Sequence, residues 1–155
     1  MDCKTKCIPD ENSSALVCPH RLRNSSQILV ADAEKYIREF ISDILCEMGF
    51  EVVGAASCIE GYNRFMGRGF DLVFTNSKII CRDGYSLAYH IKTRSPDTPL
   101  VMLVGRNTRN PLDKNEGCCM DEILFNPFKS KDIRSIIQKF LDIRVEKINI
   151  RLCKN

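Results

Sequence analysis

Short apolar segments alternate with amphipathic stretches along this chain, and this alternation constrains the fold more than any other feature. The strand-like segments, which are mainly apolar and bounded by turn residues, are 28–31, 50–55, 72–74, 100–104 and 123–125. Between them, apolar residues recur at helical spacing, most clearly over 37–48 and 133–141. Connections that cross a parallel sheet are right-handed, so helices are expected on both faces. The pattern predicts a doubly wound α/β fold.

Local signals place several boundaries of these elements. Gly49 is expected to end the first helix. Ser57 and Glu60 form a capping-box pattern at the start of the second. The segment 106–120 contains a proline and a glycine, so its helix is expected to be short or distorted. The apolar stripe of the last helix can continue as far as Ile148.

Three regions differ in composition. Residues 1–26 form a polar, cysteine-containing arm that we expect to be flexible, 27–141 form the α/β domain, and 142–155 form a basic extension. The net charge of +3 lies at the two ends, while the domain is nearly neutral, which argues against a nucleic-acid partner. No apolar run is long enough to span a bilayer, so no membrane association is expected.

Cysteine usage bears on the cellular compartment. The chain has nine cysteines, and no apolar signal segment precedes Leu16. An odd number of cysteines without a secretory signal is typical of a reduced, intracellular protein. A cytoplasmic location is therefore expected.

Four segments resemble the receiver domain of two-component response regulators. They are Ile28-Leu29-Val30-Ala31-Asp32-Ala33-Glu34, Asp71-Leu72-Val73-Phe74-Thr75-Asn76 with Asp83-Gly84, Thr98-Pro99-Leu100-Val101-Met102-Leu103-Val104, and Asp121-Glu122-Ile123-Leu124-Phe125-Asn126-Pro127-Phe128. The resemblance covers about residues 27–141. It implies a flavodoxin-like five-stranded parallel sheet of order 2-1-3-4-5. Function in such folds lies outside the carboxyl ends of the strands.

The residues that perform the family's chemistry do not carry over. A receiver accepts a phosphoryl group on an aspartate at the end of its third strand, where this chain has Asn76. An amide oxygen is not the anionic nucleophile that this step needs. Two acidic residues after the first strand hold Mg²⁺ in the family, but only Asp32 matches, since Ala33 replaces the second. We therefore expect no tight Mg²⁺ site and no other cofactor.

The family's switch residues are missing as well. Asn126 stands where the family has a lysine that pairs with the phosphoryl group. Val104 stands at the position of the switch hydroxyl, and Ile123 at that of the switch aromatic. Every step from reaction to readout therefore lacks its residue, and Asp32, Ala33, Asn76, Val104 and Asn126 mark a vestigial phosphoacceptor pocket.

The resemblance and these departures together predict a degenerate receiver, or pseudo-receiver, that is not an enzyme. It is expected to act in two-component signal transduction by binding a signalling protein independently of phosphorylation. In receivers the last strand and its flanking helices form the common partner surface, which corresponds to about 106–141. A homodimer is an open alternative.

Two other interpretations stay open. The chain could still accept phosphate on a displaced side chain such as Thr75, Ser77 or Asp83. It could also be a redox or metal-responsive regulator, because soft ligands that suit Zn²⁺ lie in the arm at Cys3, Cys7, Cys18 and His20. Their spacings differ from the usual two-residue zinc knuckle.

Overall fold

The computed structural model describes residues 8–9, 16–17, 26–106 and 120–152, with side chains for 26–106 and 120–141. Its strands are β1 (Ile8–Pro9), β2 (Leu16–Val17), β3 (Gln27–Ala31), β4 (Glu51–Ala55), β5 (Leu72–Asn76), β6 (Leu100–Val104) and β7 (Glu122–Phe125). Its helices are α1 (Lys35–Glu47), α2 (Cys58–Gly67), α3 (Leu87–Arg94) and α4 (Ser130–Leu152).

Five of the strands form one parallel sheet, in the order β4-β3-β5-β6-β7. This is the second-first-third-fourth-fifth order of the flavodoxin-like fold, so the predicted fold class is confirmed. β5 is longer than the apolar run predicts, because its pairing with β6 continues to Asn76, opposite Leu103. The helix expected within 106–120 falls almost wholly on 107–119, outside the described residues.

The sheet separates two apolar cores. Along β3, Ile28 and Val30 face one core, and Leu29 and Ala31 face the other, as the two-residue period of a strand requires. The first core packs α1 and α4 against the sheet, and the second packs α2 and α3. All four residues are fully buried. Burial on both faces explains why the strands are apolar runs rather than alternating patterns.

The ends of α1 and α2 follow local chemistry. Gly49 ends α1 with a φ of +91°, and the N–H of Phe50 donates to the carbonyl of Leu45, so Phe50 belongs to this turn and not to β4. At α2, Ser57 Oγ accepts from the N–H of Glu60 at 3.3 Å. The Glu60 carboxylate accepts from the N–H of Ala56 at 2.9 Å, one residue before the predicted capping-box donor.

The arm and the extension are described only in part. β1 and β2 pair antiparallel within residues 1–26, and the flexibility of the arm stays a prediction. α4 continues to Leu152, four residues beyond Ile148, where the predicted stripe ends. Among the residues that the structure describes, no helix is both long enough and apolar enough to cross a membrane.

Gly61 controls the approach of α2 to α3. A Cβ built at this position would lie 2.6 Å from Cδ2 of Leu87, which is fully buried. We expect Gly61→Ala to lower the free energy of unfolding by about 1–3 kcal/mol, because the core must shift to admit the methyl group. Chemical denaturation measures this loss. Gly67→Ala is the matched control, since nothing lies within 4 Å of its added Cβ. An equal loss in both variants would contradict this packing role of Gly61.

Candidate functional site

The carboxyl ends of β3, β5, β6 and β7 meet at one edge of the sheet and enclose a small pocket. Strand register brings them together, because Ala31 pairs with Thr75, Asn76 with Leu103 and Val104 with Phe125. The pocket has a volume of about 70 Å³. The polar and charged residues that line it are Asp32, Glu34, Asn76, Lys78 and Asn126. Three of the five positions predicted for the vestigial pocket are in this set, and Val104 also lines the pocket.

Asp32 and Asn76 are bonded directly to each other at the centre of the pocket. Asn76 Nδ2 donates to Asp32 Oδ2 at 2.9 Å. The other carboxylate oxygen, Oδ1, accepts from the N–H of Glu34 at 2.9 Å. Asn76 Oδ1 accepts from the N–H of Lys78, also at 2.9 Å. Asp32 is 1% exposed. The buried carboxylate is therefore held by two N–H donors, and the Asn76 amide has a partner at both ends.

Arg38 binds the backbone next to the pocket, and the sequence pattern does not identify it as a site residue. This α1 residue is buried, and its Nη1 donates to the backbone carbonyl of Asp32 at 2.6 Å and to that of Ala33 at 3.1 Å. These carbonyls follow the end of β3, where the chain leaves the sheet. The guanidinium holds both carbonyls through these hydrogen bonds. It therefore helps to position the backbone that carries the Asp32 side chain. The signal in the sequence is a single basic residue inside the apolar stripe of α1.

The remaining predicted positions fall into two groups. Val104 is 1% exposed and fills core space, and its carbonyl accepts from the N–H of Asn126 at 2.8 Å. Asn126 is half-buried and precedes a cis peptide bond to Pro127. Ala33 is exposed, and Ile123 is half-buried against the core beneath α2 and α3. The structure thus brings Asp32, Asn76, Val104 and Asn126 together, but not Ala33 and Ile123.

Two charged residues at the pocket were not counted among the family positions. Glu34 adds a second carboxylate beside Asp32, and Lys78 adds a cation. The Glu34 carboxylate accepts a hydrogen bond from the Tyr36 hydroxyl, and this bond, followed by burial and by the charges of Glu34 and Asp32, raises the pKa of Tyr36.

The donor set of the pocket does not fit the Mg²⁺ ion that the fold family implies. Magnesium needs oxygen ligands arranged about one point. Here the group that faces Asp32 Oδ2 is the amide nitrogen of Asn76, which carries hydrogens and cannot act as a ligand. Both carboxylate oxygens of Asp32 already accept N–H donors. No chemical step through a metal follows from this arrangement.

The alternative phosphate acceptors lie in different surroundings. Thr75 is 1% exposed, Ser77 is half-buried, and Asp83 lines a separate cleft. The candidate zinc ligands of the arm, Cys3, Cys7, Cys18 and His20, lie outside the described residues, as does the 107–119 part of the predicted partner face.

Curated relatives share the domain but not the whole length. The chain is 29% identical over 120 residues to a probable transcriptional regulator, ycf27, from Cyanophora paradoxa, which covers 76% of this chain and 49% of the relative. It is 25% identical over 128 residues to the phosphate regulon transcriptional regulatory protein PhoB of Escherichia coli K12, covering 79% and 56%. The chain thus spans about half the length of these relatives.

Solved structures show the same fold. A receiver domain protein from Clostridium thermocellum matches with a TM-score of 0.66 at 24% identity, covering 77% of this chain and 96% of that one. The chemotaxis protein CheY4 of Vibrio cholerae matches with a TM-score of 0.66 at 21% identity, covering 76% and 100%.

The family assignment rests on the sequence match itself. Residues 28–138 match the family described as the response regulator receiver domain. This range includes all five strands of the parallel sheet from Ile28 onward, together with the pocket at their carboxyl ends. The chain belongs to the response regulator receiver family of two-component signalling.

Proposed function

We propose that this receiver domain is a pseudo-receiver, which binds a signalling protein independently of phosphorylation and catalyses no reaction. The observation that carries the proposal is the Asn76–Asp32 hydrogen bond of 2.9 Å at the end of β5. The residue at the phosphoacceptor position is an amide whose hydrogen points at the one buried carboxylate. Asn76 therefore offers a phosphoryl group no anionic nucleophile. Both oxygens of the Asp32 carboxylate beside it already accept hydrogen bonds from N–H donors.

The charges around the pocket support the same conclusion. Phosphoryl transfer depends on stabilising the negative charge that the transferred group carries. Asn126 is neutral where the family has its cation, and the donor set does not fit Mg²⁺. Lys78 adds a cation to the pocket lining, but it lies in the turn after β5 and not at the position of the family's lysine. Loss of the magnesium cofactor is therefore part of the proposal.

The described part of the predicted partner face presents an apolar side chain at the sheet edge. Phe125, at the end of β7, is 57% exposed. At the start of the same strand, the Lys139 ammonium of α4 donates to the Glu122 carboxylate and lowers the pKa of Glu122. Exposed aromatic side chains are enriched at protein interfaces. We propose that residues 106–141 form the surface that binds the signalling partner. The alternative is that a second copy of this chain binds there and forms a homodimer.

A cytoplasmic location belongs to the same proposal. Its support is the family, since the curated relatives named above are transcriptional regulators.

Acetyl phosphate with Mg²⁺ is expected to leave the wild-type chain unmodified. Intact mass spectrometry would show an added phosphoryl group as an increase of about 80 Da. A positive control is the triple variant Ala33→Asp/Asn76→Asp/Asn126→Lys, which restores the two acids and the cation and should be labelled. A labelled wild-type chain would overturn the proposal, and mapping would then assign the site to Ser77, Asp83 or another residue. The native mass of the same sample distinguishes monomer from homodimer.

A further inference from the structure

A second cluster of chemically active side chains lies away from the pocket, between α2 and α3. Ligand atoms of Cys81, Asp83 and His90 all lie within 4.8 Å of one another. Cys58, the first residue of α2, joins them because its Sγ is linked to that of Cys81 in a disulfide, with Cα atoms 5.3 Å apart. The cluster thus contains two sulfurs, one imidazole and one carboxylate.

The loop between β5 and α3 holds these groups in place. The N–H of Cys81 donates to the carbonyl of Tyr85 at 2.8 Å, and Gly84 turns the chain with a φ of +86°. The N–H of Tyr85 donates to Asp83 Oδ1 at 3.1 Å. Asp83 Oδ1 also lies 3.2 Å from Nε2 of His90. The carboxylate therefore has a fixed position in the loop.

His90 completes the arrangement from the first half of α3. Its Nε2 lies 2.9 Å from Asp83 Oδ2. The ring of Tyr62 packs edge-on against it at 5.9 Å between centroids, which limits its rotation. Two ligands on tetrahedral zinc at about 2.0–2.2 Å are themselves about 3.4 Å apart. The imidazole and carboxylate are therefore close to the separation that a shared zinc ion needs.

We propose that, with the disulfide reduced, Cys58, Cys81, Asp83 and His90 bind one Zn²⁺ ion. Thiolate, imidazole and carboxylate are the groups that bind zinc in proteins, and four of them complete a tetrahedron. The two sulfurs must move apart to about 3.8 Å, the separation of two thiolates on zinc. Cys58 begins α2, whose free N–H groups favour negative charge on its sulfur.

The surroundings give the ion access and balance its charge. The four side chains line a solvent-open cleft of about 390 Å³, which also includes Arg82. Two thiolates and one carboxylate exceed the charge of Zn²⁺ by one negative unit, and the Arg82 guanidinium offsets it. A bound ion would tie α2 to the β5–α3 loop, a link that the disulfide makes in the oxidised chain. Zinc and the disulfide use the same sulfurs, so they exclude each other.

The test uses the full chain reduced by a water-soluble phosphine. The phosphine becomes its oxide with oxygen from water, the S–S bond breaks, and each sulfur gains a proton that zinc then displaces. Titration with Zn²⁺ against a chromogenic chelator is expected to show one tight site. Co²⁺ in its place should show thiolate-to-metal charge-transfer absorption. The oxidised chain should bind neither ion in this cleft.

Variants separate this site from the arm. Cys81→Ser and His90→Ala are each expected to weaken Zn²⁺ binding by at least about 100-fold, since even partners outside the ligand set contribute about 10–100-fold. The His90 side chain is 27% exposed, so its variant should fold even where Cys81→Ser does not. The control Cys3→Ser/Cys7→Ser/Cys18→Ser should bind zinc as the wild type does. No zinc on the reduced chain, unchanged affinity in both cluster variants, or loss in the arm variant alone would each overturn the proposal.

Discussion

Replacing Asn76 with Asp is expected to lower the free energy of unfolding by about 2–4 kcal/mol at pH 7. The substitution removes the N–H donor that holds Asp32 Oδ2 and places a second carboxylate about where the amide stood, 2.9 Å away. Asp32 is 1% exposed, so the new charge is placed beside a carboxylate that has little contact with bulk solvent. Two carboxylates at this distance repel each other unless one is protonated.

The loss in unfolding free energy should depend on pH. The repulsion exists only while both carboxylates are ionised, so protonation of one of them restores stability. The loss relative to wild type should therefore be full near pH 7 and shrink as the pH falls towards about 4. Urea denaturation at several pH values measures it. Asn63→Asp, an exposed change on α2, is the control and should alter stability by less than about 0.5 kcal/mol.

The same variant tests which residues the proposed absence of phosphoryl transfer depends on. Asn76→Asp alone should not be labelled by acetyl phosphate and Mg²⁺, because Ala33 and Asn126 still lack the acid and the cation. Labelling of the single variant, together with full recovery of its stability in Mg²⁺, would show that the remaining residues suffice for phosphoryl transfer. The substitutions at Ala33 and Asn126 would then not be what prevents the reaction.

The sheet could be predicted because its strands are buried on both faces. Each strand therefore stands out as an apolar run, and the resemblance supplies their order. The strand ends are less visible, since hydrogen-bond register and not hydropathy fixes them. Asn76 belongs to β5 through its pairing with Leu103, although its side chain is polar. The boundary between this strand and the site could therefore not be predicted from hydropathy.

The pocket positions could be predicted from the rule that strand ends converge, but their partners could not. Glu34 and Lys78 reach the pocket through the turns that follow β3 and β5. The partners in the cysteine cluster were even harder to predict from the sequence. Cys58 and Cys81 are 23 residues apart and belong to a helix and a loop, so their spacing matches no ligand motif. Only the packing of α2 against α3 brings them together.

Arg38→Ala is the second substitution with a large expected effect, a loss of about 2–4 kcal/mol in the free energy of unfolding. The guanidinium is 7% exposed and donates to the carbonyls of Asp32 and Ala33. Its removal takes the guanidinium donor away from both carbonyls and opens space under α1. Thermal and urea denaturation should both show the loss. Lys35→Ala, on the same helix with a side chain 77% exposed, is the control and should cost less than about 0.5 kcal/mol.

Arg38→Lys separates charge from geometry at this position. Nη1 alone donates to both carbonyls, whereas a lysine ammonium keeps the positive charge on a shorter, non-planar side chain. We expect this variant to recover part of the stability, because one donor can still reach the carbonyl of Asp32, which accepts from Nη1 at 2.6 Å. Full recovery would mean that charge alone stabilises the end of β3. No recovery would mean that the reach and shape of the guanidinium are required, and the pocket would then depend on a residue from outside the strand ends.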